Sequence, residues 1–168
     1  VEGVLAETGY IDMSVLKTLR RLGSPLQGHP DRRFFPAMEA CTGSLGQGLS
    51  LGVGCALAAK LDKSDFHTFV MVGDGEIQEG QNWEGAMFAS FHKLNNLTCI
   101  VDYNKIQLDG FVNKILDIAP LAEKFQAFGW HTIPVDGHDL ADLLAAFADA
   151  RRNVDTPTVL GGDTRPGR

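Results

Sequence analysis

From residue 66 onward the chain alternates short β-rich runs with longer stretches of helical period. Residues 66–72 are apolar and β-branched, and Gly73 stops them. A helix is predicted over 76–94, with Trp83, Met87 and Phe91 four apart and Ala86, Ser90 and Leu94 beside them. Residues 97–101 form a second buried-type strand that ends at Asp102-Tyr103-Asn104. A short helix is predicted over 120–128, with Pro near its start and Gly129 as its stop. Residues 130–135 read as a third strand. Residues 139–153 read as an amphipathic helix with Leu140, Leu143, Leu144 and Phe147 on one face. A fourth strand spans 156–160, with Pro157 at its beginning, where a lost donor is tolerated.

The first third of the chain is patterned differently. Asp12 or Ser14 is placed to cap a helix running through Leu16, Leu19 and Leu22 to Gly23, and 27–36 is an irregular loop. The glycine-rich segment 42–48 then enters a helix with Leu45, Leu49, Val53, Leu57 and Leu61 four apart. Gly48, Gly52 and Ala56 make a second ridge of small residues, which lets another backbone come close. Strands alternating with helices predict an α/β fold, a three-layer domain with a central, mainly parallel sheet. At this length, residues 1–168 are expected to form one domain.

Composition narrows the function. Fifteen Lys and Arg against twenty-one Asp and Glu give a net charge of −6, which argues against a nucleic-acid partner. The apolar runs are far shorter than the ~18 residues of a membrane span, and the first residues have no basic n-region of a signal peptide. Cys41, Cys55 and Cys99 are odd in number and lack C-x-x-C spacing, so they read as reduced thiols of a cytoplasmic protein. The nineteen glycines exceed the usual ~7 %, and they are clustered.

One cluster carries chemistry. Open parallel sheets bind ligands at the carboxyl ends of their strands. That rule points at Gly73-Asp74-Gly75 after the first strand of the alternating region and at Asn104 after the second. A carboxylate and an amide oxygen converging there are hard ligands that suit Mg²⁺ and phosphate oxygens. A helix opening at Glu76 would add free N–H groups for the same phosphates. Gly73 to Gly80 lacks the dinucleotide G-x-G-x-x-G spacing, and no Gly-Lys occurs, which excludes a P-loop. Gly48-Leu49-Ser50-Leu51-Gly52 matches G-x-S-x-G, but no strand is predicted before it, so Ser50 reads as a helix residue.

Gly73-Asp74-Gly75-Glu76-Ile77-Gln78-Glu79-Gly80 followed by Asn104 resembles the G-D-G…N signature of thiamine-diphosphate enzymes. With Gln27-Gly28-His29-Pro30, Thr42-Gly43-Ser44-Leu45-Gly46-Gln47-Gly48 and Val135-Asp136-Gly137-His138-Asp139, the chain is similar to the N-terminal diphosphate-binding domain of transketolases. The resemblance implies thiamine diphosphate and Mg²⁺ (or Ca²⁺ or Mn²⁺ in its place) as cofactors. It implies Asp74, the Asn104 side chain and the Ile106 carbonyl as metal ligands, with Gly75 and Asn104 also on the diphosphate. Gly43, Ser44 and Leu45 match the segment along the aminopyrimidine, with Ser44 standing where many relatives have Pro. His29 matches the histidine that faces the substrate, and Glu79 a glutamate near the subunit interface that links two cofactor sites. The other histidines, His67, His92, His131 and His138, carry no such match.

The implied reaction is ketol transfer: a ketose C2–C3 bond breaks and the two-carbon fragment passes to an aldose phosphate. Alternatives are another carboligase, of the deoxyxylulose-phosphate synthase or sulfosugar transketolase type, or a non-catalytic cofactor-binding module. Set against the family pattern, the chain is expected to start after the Gly-His-Gly segment, to end on an atypical tail at 161–168, and to lack the pyrimidine domain, as a split subunit or as a fragment of a longer polypeptide. The resemblance therefore implies a pyrimidine-domain subunit or domain as partner, in a homodimer or heterotetramer.

Overall fold

The computed structural model describes residues 2–165, so Pro166, Gly167 and Arg168 of the tail lie outside the described residues. The chain divides into two compact units, Val1–Ser44 and Leu45–Arg168.

The first unit is mostly turns. It holds helix α1 (Glu2–Glu7) and a 3₁₀ turn over Met13–Thr18. Asp12 caps that turn, its carboxylate accepting the Ser14 N–H at 2.7 Å. The predicted helix through Leu22 stops four residues early, and the leucine spacing explains why. Leu16, Leu19 and Leu22 recur every third residue, the period of a 3₁₀ turn, which rarely persists beyond one or two turns. Arg20 then adopts a left-handed φ of 60° and donates its N–H to the Leu26 carbonyl at 2.9 Å, turning the chain.

The second unit is an α/β sheet domain. Helix α2 (Gln47–Asp62) leads into β1 (Thr68–Gly73), α3 (Gly80–Phe91) and β2 (Leu97–Tyr103). A small hairpin, β3 (Ile106–Gln107) and β4 (Gly110–Phe111), is followed by α4 (Val112–Ile115) and α5 (Leu121–Ala127). Then come β5 (His131–Asp136), α6 (Leu140–Arg152) and β6 (Thr158–Asp163). The four long strands form one parallel sheet in the order β1-β2-β6-β5. In the register, Gly73 lies opposite Asp102, and Tyr103 and Asp136 both lie opposite Asp163. All four carboxyl ends therefore open on one edge.

The sheet buries side chains on both faces. Val72, Cys99, Val101 and Val159 pack beneath α2, α3 and α5, around Leu49, Ala86 and Phe125. Leu160 and Val135 pack on the opposite face against Ala146 and Ala150 of α6. The small-residue ridge of α2 serves this contact. A Cβ at Gly52 would fall 2.1 Å from Val70 Cγ2, so only glycine lets the helix lie this close to β1.

Three predicted features need correction. The helix expected from Glu76 begins at Gly80 instead, after a 3₁₀ turn over Glu76–Gln78 and an extended Glu79 (ψ 128°). Its buried face is Asn82, Gly85, Ala86 and Ala89, while Met87 and Phe91 are exposed. In α6 the buried positions are Ala146 and Ala150, with Leu143 and Phe147 packed beside them; Leu140 and Leu144 face outward. In both helices the sheet lies so close that alanine and glycine occupy the contact, and the larger apolar residues are displaced to the flanks.

Candidate functional site

Asp74 stands one residue beyond β1 and is 1 % exposed. Its backbone N–H donates to the Asp102 carbonyl at 3.1 Å, extending the sheet by one bond. Its Oδ1 accepts the Gly75 N–H at 2.7 Å, and its Oδ2 accepts the Lys105 N–H at 2.5 Å. Burial pushes the Asp74 carboxyl above the usual carboxylate range, while the Lys105 and Gly75 amides pull it back down. A buried carboxylate with lone pairs to spare is a favourable place for a cation.

Asn104 follows β2. Its Oδ1 accepts the Ile106 N–H at 2.9 Å, and its Nδ2 reaches Asp102 Oδ2 at 3.4 Å, which fixes the amide with its oxygen towards Ile106. Lys105 sits at a left-handed φ of 67°, which turns the chain between β2 and the hairpin and aims its amide at Asp74. The hairpin presses on the same loop, because a Cβ at Gly75 would fall 2.8 Å from Gln107 Cβ. Glycine at position 75 therefore permits the close approach of Gln107. Asn104 and Ile106 also border a cleft of about 680 Å³ along the strand ends, with Lys105, His138, Asp163 and Arg165. Lys105 Nζ pairs with Asp163 at 2.8 Å across it.

The donor set at the strand ends is a carboxylate, an amide oxygen and main-chain carbonyls: hard oxygens, with no clustered His or Cys. Such a set fits Mg²⁺ completed by phosphate oxygens, and not a zinc-type site. Among the described residues no group of three or more His, Cys, Asp and Glu side chains gathers to hold a metal.

Leu45 and Glu79 also lie in this unit. Leu45 is exposed just before α2, and Glu79 is exposed, its Cβ bordering Gly46. His29, Gly43 and Ser44 lie in the first unit. There the His29 ring lies against the backbone of Gly43, where a Cβ would fall 2.8 Å from the ring's Cγ. Gly43 has a left-handed φ of 113°, so glycine is required twice over. The Thr42 N–H ties the two segments by donating to the Pro30 carbonyl at 3.1 Å.

The remaining histidines have structural partners. His67 bonds Thr98 Oγ1 at 2.7 Å, His131 faces Asp149 at 3.3 Å, and His138 Nε2 accepts the Arg165 N–H at 2.8 Å. His92 stacks near Phe88 and Phe91. Ser50 lies inside α2, and among the described residues no strand precedes that helix, so the nucleophile-elbow geometry is absent there.

Sequence reasoning passes over three contributors. Lys105 acts through its backbone, which no side-chain pattern reports. Asp102 accepts from Asp74, Asn104 and Thr164. Glu76 Oε1 accepts the Gly46 N–H at 3.0 Å, a link across thirty residues that only the fold makes visible.

Comparison with known proteins identifies the family. The family model for the transketolase thiamine diphosphate binding domain matches residues 3–167. This chain belongs to the transketolase family. It is 41 % identical over 98 % of its length to the SqwG subunit of a 6-deoxy-6-sulfo-D-fructose transketolase from Clostridium sp., covering 60 % of that protein. It is 38 % identical to an apulose-4-phosphate transketolase subunit from Phocaeicola vulgatus, covering 58 %, and 38 % identical to human transketolase, covering 26 %. The chain thus spans about three-fifths of the subunit-sized relatives and about a quarter of the single-chain transketolase. Among solved structures, transketolase from Leishmania mexicana superposes with a TM-score of 0.88 at 33 % identity, over 96 % of this chain and 26 % of that one. The chain is a transketolase-type thiamine diphosphate binding domain with the family's α/β fold. No helix among the described residues is long and apolar enough to cross a membrane.

Proposed function

We propose that residues 1–168 act as the diphosphate-binding part of a transketolase-type enzyme that transfers a two-carbon ketol unit between sugar phosphates. The observation that carries this reading is Asp74, buried at the carboxyl edge of the sheet with one backbone amide on each oxygen, with Asn104 just past the end of the neighbouring strand. In this reading the Asp74 carboxylate, the Asn104 side-chain oxygen and the Ile106 carbonyl hold Mg²⁺, which Ca²⁺ or Mn²⁺ can replace. The metal offsets the cost of keeping Asp74 charged in a buried position. Gly75, next to Asp74 on the same loop, lies on the diphosphate in this reading.

When bound, thiamine diphosphate supplies the nucleophilic carbon and the electron sink for breaking and making the sugar's carbon–carbon bond. The chain's own residues bind and orient. Gly43, Ser44 and Leu45 line the ring segment of the cofactor. His29 presents a ring nitrogen to a substrate hydroxyl and holds or passes a proton there. Glu79 contributes to the link between cofactor sites at a subunit interface. The pyrimidine domain comes from a partner subunit or from another part of the same polypeptide, in a homodimer or heterotetramer. That two relatives are designated subunits supports a separate chain.

A second reading concerns the sugar. The relative at 41 % identity is a 6-deoxy-6-sulfo-D-fructose transketolase subunit and another is an apulose-4-phosphate one, so both of those sugars belong in the substrate panel beside ordinary ketose phosphates. The deciding experiment for the site is Asp74→Ala in the assembled enzyme. Its Mg²⁺-dependent binding of thiamine diphosphate, read by calorimetry, is expected to weaken by at least about a hundredfold, with ketol transfer lost alongside. Unchanged affinity overturns the assignment.

A further inference from the structure

We infer that Glu76 is a positioning residue: its side chain holds the Leu45–Gly46 turn on the loop that carries Asp74, so that Leu45 and the metal loop are placed together. This rests on the cofactor reading above. Glu76 Oε1 accepts the Gly46 N–H at 3.0 Å, and Gly46 is buried immediately before α2 with a left-handed φ of 84°. An amide buried in that way needs a partner, and the first turn of a helix leaves its N–H groups without one from the helix itself.

The turn and the loop also touch sterically. A Cβ at Gly46 would fall 2.7 Å from Glu79 Cβ, and one at Gly48 would lie 3.9 Å from Glu76 Oε1. The first of these approaches requires glycine at Gly46; the second is an ordinary contact that brings α2 against the same segment.

The other end of Glu76 is fixed independently. Its carbonyl accepts a hydrogen bond from Asn82 Nδ2 at 2.6 Å, and Asn82 is fully buried at the start of α3. The Oδ1 of that amide has no hydrogen-bond partner, so Asn82 keeps its contact with Glu76 at the expense of its own oxygen. Glu76 is thus clamped by a buried amide on its main chain while its carboxylate grips the turn thirty residues upstream. In the 3₁₀ turn the Glu76 carbonyl accepts the Glu79 N–H at 3.0 Å, and with Glu79 extended it also accepts from Asn82 Nδ2.

The test uses the assembled enzyme with two readouts: the Kd for thiamine diphosphate at saturating Mg²⁺, and hydrogen exchange at the Gly46 amide without cofactor. Glu76→Ala is expected to raise the Kd about tenfold and to speed Gly46 exchange by a similar factor. Glu76→Gln keeps an oxygen that accepts the Gly46 N–H, so it is expected to stay within about threefold of the parent in both. Parent-like affinity and exchange in Glu76→Ala overturns the inference, as does a Glu76→Gln variant as impaired as the alanine. Should Glu76→Ala fail to fold, Glu76→Gln decides alone: near-parent values support the positioning role, and a loss overturns it. Asp74→Ala separates the two failures. If it abolishes cofactor binding while Glu76→Ala does nothing, the cofactor site stands and the positioning role falls; if neither matters, the cofactor reading falls as well.

Discussion

The two compact units place their candidate residues by different means. In the second unit Asp74 is 1 % exposed, anchored by the sheet and by an amide on each oxygen, above a core that includes Leu49, Leu97, Phe125 and Leu160. In the first unit the buried apolar residues are Ala6, Leu26 and Met38, and His29 is exposed on a turn. Its placement rests on the bare backbone of Gly43 and on one hydrogen bond from Thr42 to Pro30. A charge that must be held out of water needs a rigid, low-dielectric frame. In the proposed reading the His29 ring meets an arriving sugar, so it needs to be reachable, and loops supply that. The division predicts that damage to the second unit appears as lost stability, and damage at His29 as lost turnover.

The largest effect tests the frame. Phe125 is fully buried, with its ring 5.3 Å from both Trp83 and Trp130. Phe125→Ala is expected to cost about 3–5 kcal/mol of folding stability, measured as a fall in the denaturant midpoint at constant m. His29→Ala comes next. It removes an exposed ring, so the folding stability is expected to hold within about 0.5 kcal/mol. In the assembled enzyme, kcat is expected to fall about a hundredfold with little change in cofactor affinity. A loss of cofactor affinity without a loss of kcat would remove His29 from the substrate's side of the site. A stability loss as large as that of Phe125→Ala would erase the contrast between the units.

What can be read from the sequence follows the same line. The four strands are visible because each is a short run of apolar, β-branched residues ended by Gly or by an Asx-rich turn, and the parallel order follows from the helices between them. Asp74 and Asn104 are visible because strand ends are where such sheets bind. The helix faces are misread for a physical reason. Periodicity weights large apolar side chains, yet Gly85, Ala86, Ala146 and Ala150 occupy the closest contacts, and Leu140, Leu144, Met87 and Phe91 are exposed. The two-residue strands of the hairpin are too short to carry any alternation. The contacts of Glu76 and of the Lys105 amide are set by tertiary approach and by a backbone group, neither of which leaves a mark in the residue pattern.

The cysteines give the finest test of the same contrast, because the first unit holds one and the second two, in differing environments. Cys41, in the first unit, and Cys55, on α2, are exposed, whereas Cys99 is fully buried in β2. Burial pushes the Cys99 thiol up to about 12, helped by the negative charge of Glu76. A neutral, enclosed thiol is a poor nucleophile. The native protein is therefore expected to show two reactive equivalents in a thiol titration at neutral pH and the third only on unfolding. Three rapid equivalents from the native protein would mean that the sheet opens at β2. The same shift has a stability consequence with a definite sign. In the unfolded chain this thiol ionises near its ordinary value of 9.0, while the folded protein keeps it protonated until about 12. Between those values the unfolded state has released a proton that the native state retains, so stability falls as pH rises through the window and is unaffected by this group below it. The slope from this single group is at most about 1.4 kcal/mol per pH unit. Cys99→Val keeps the site apolar and removes the thiol, so the difference between its denaturant midpoint and that of the parent should be flat below pH about 8 and drift in favour of the variant above it. A difference that stays flat to pH about 11 would show that the buried thiol ionises in the folded state as easily as in the unfolded one, and that the frame around β2 is wetter than its packing indicates.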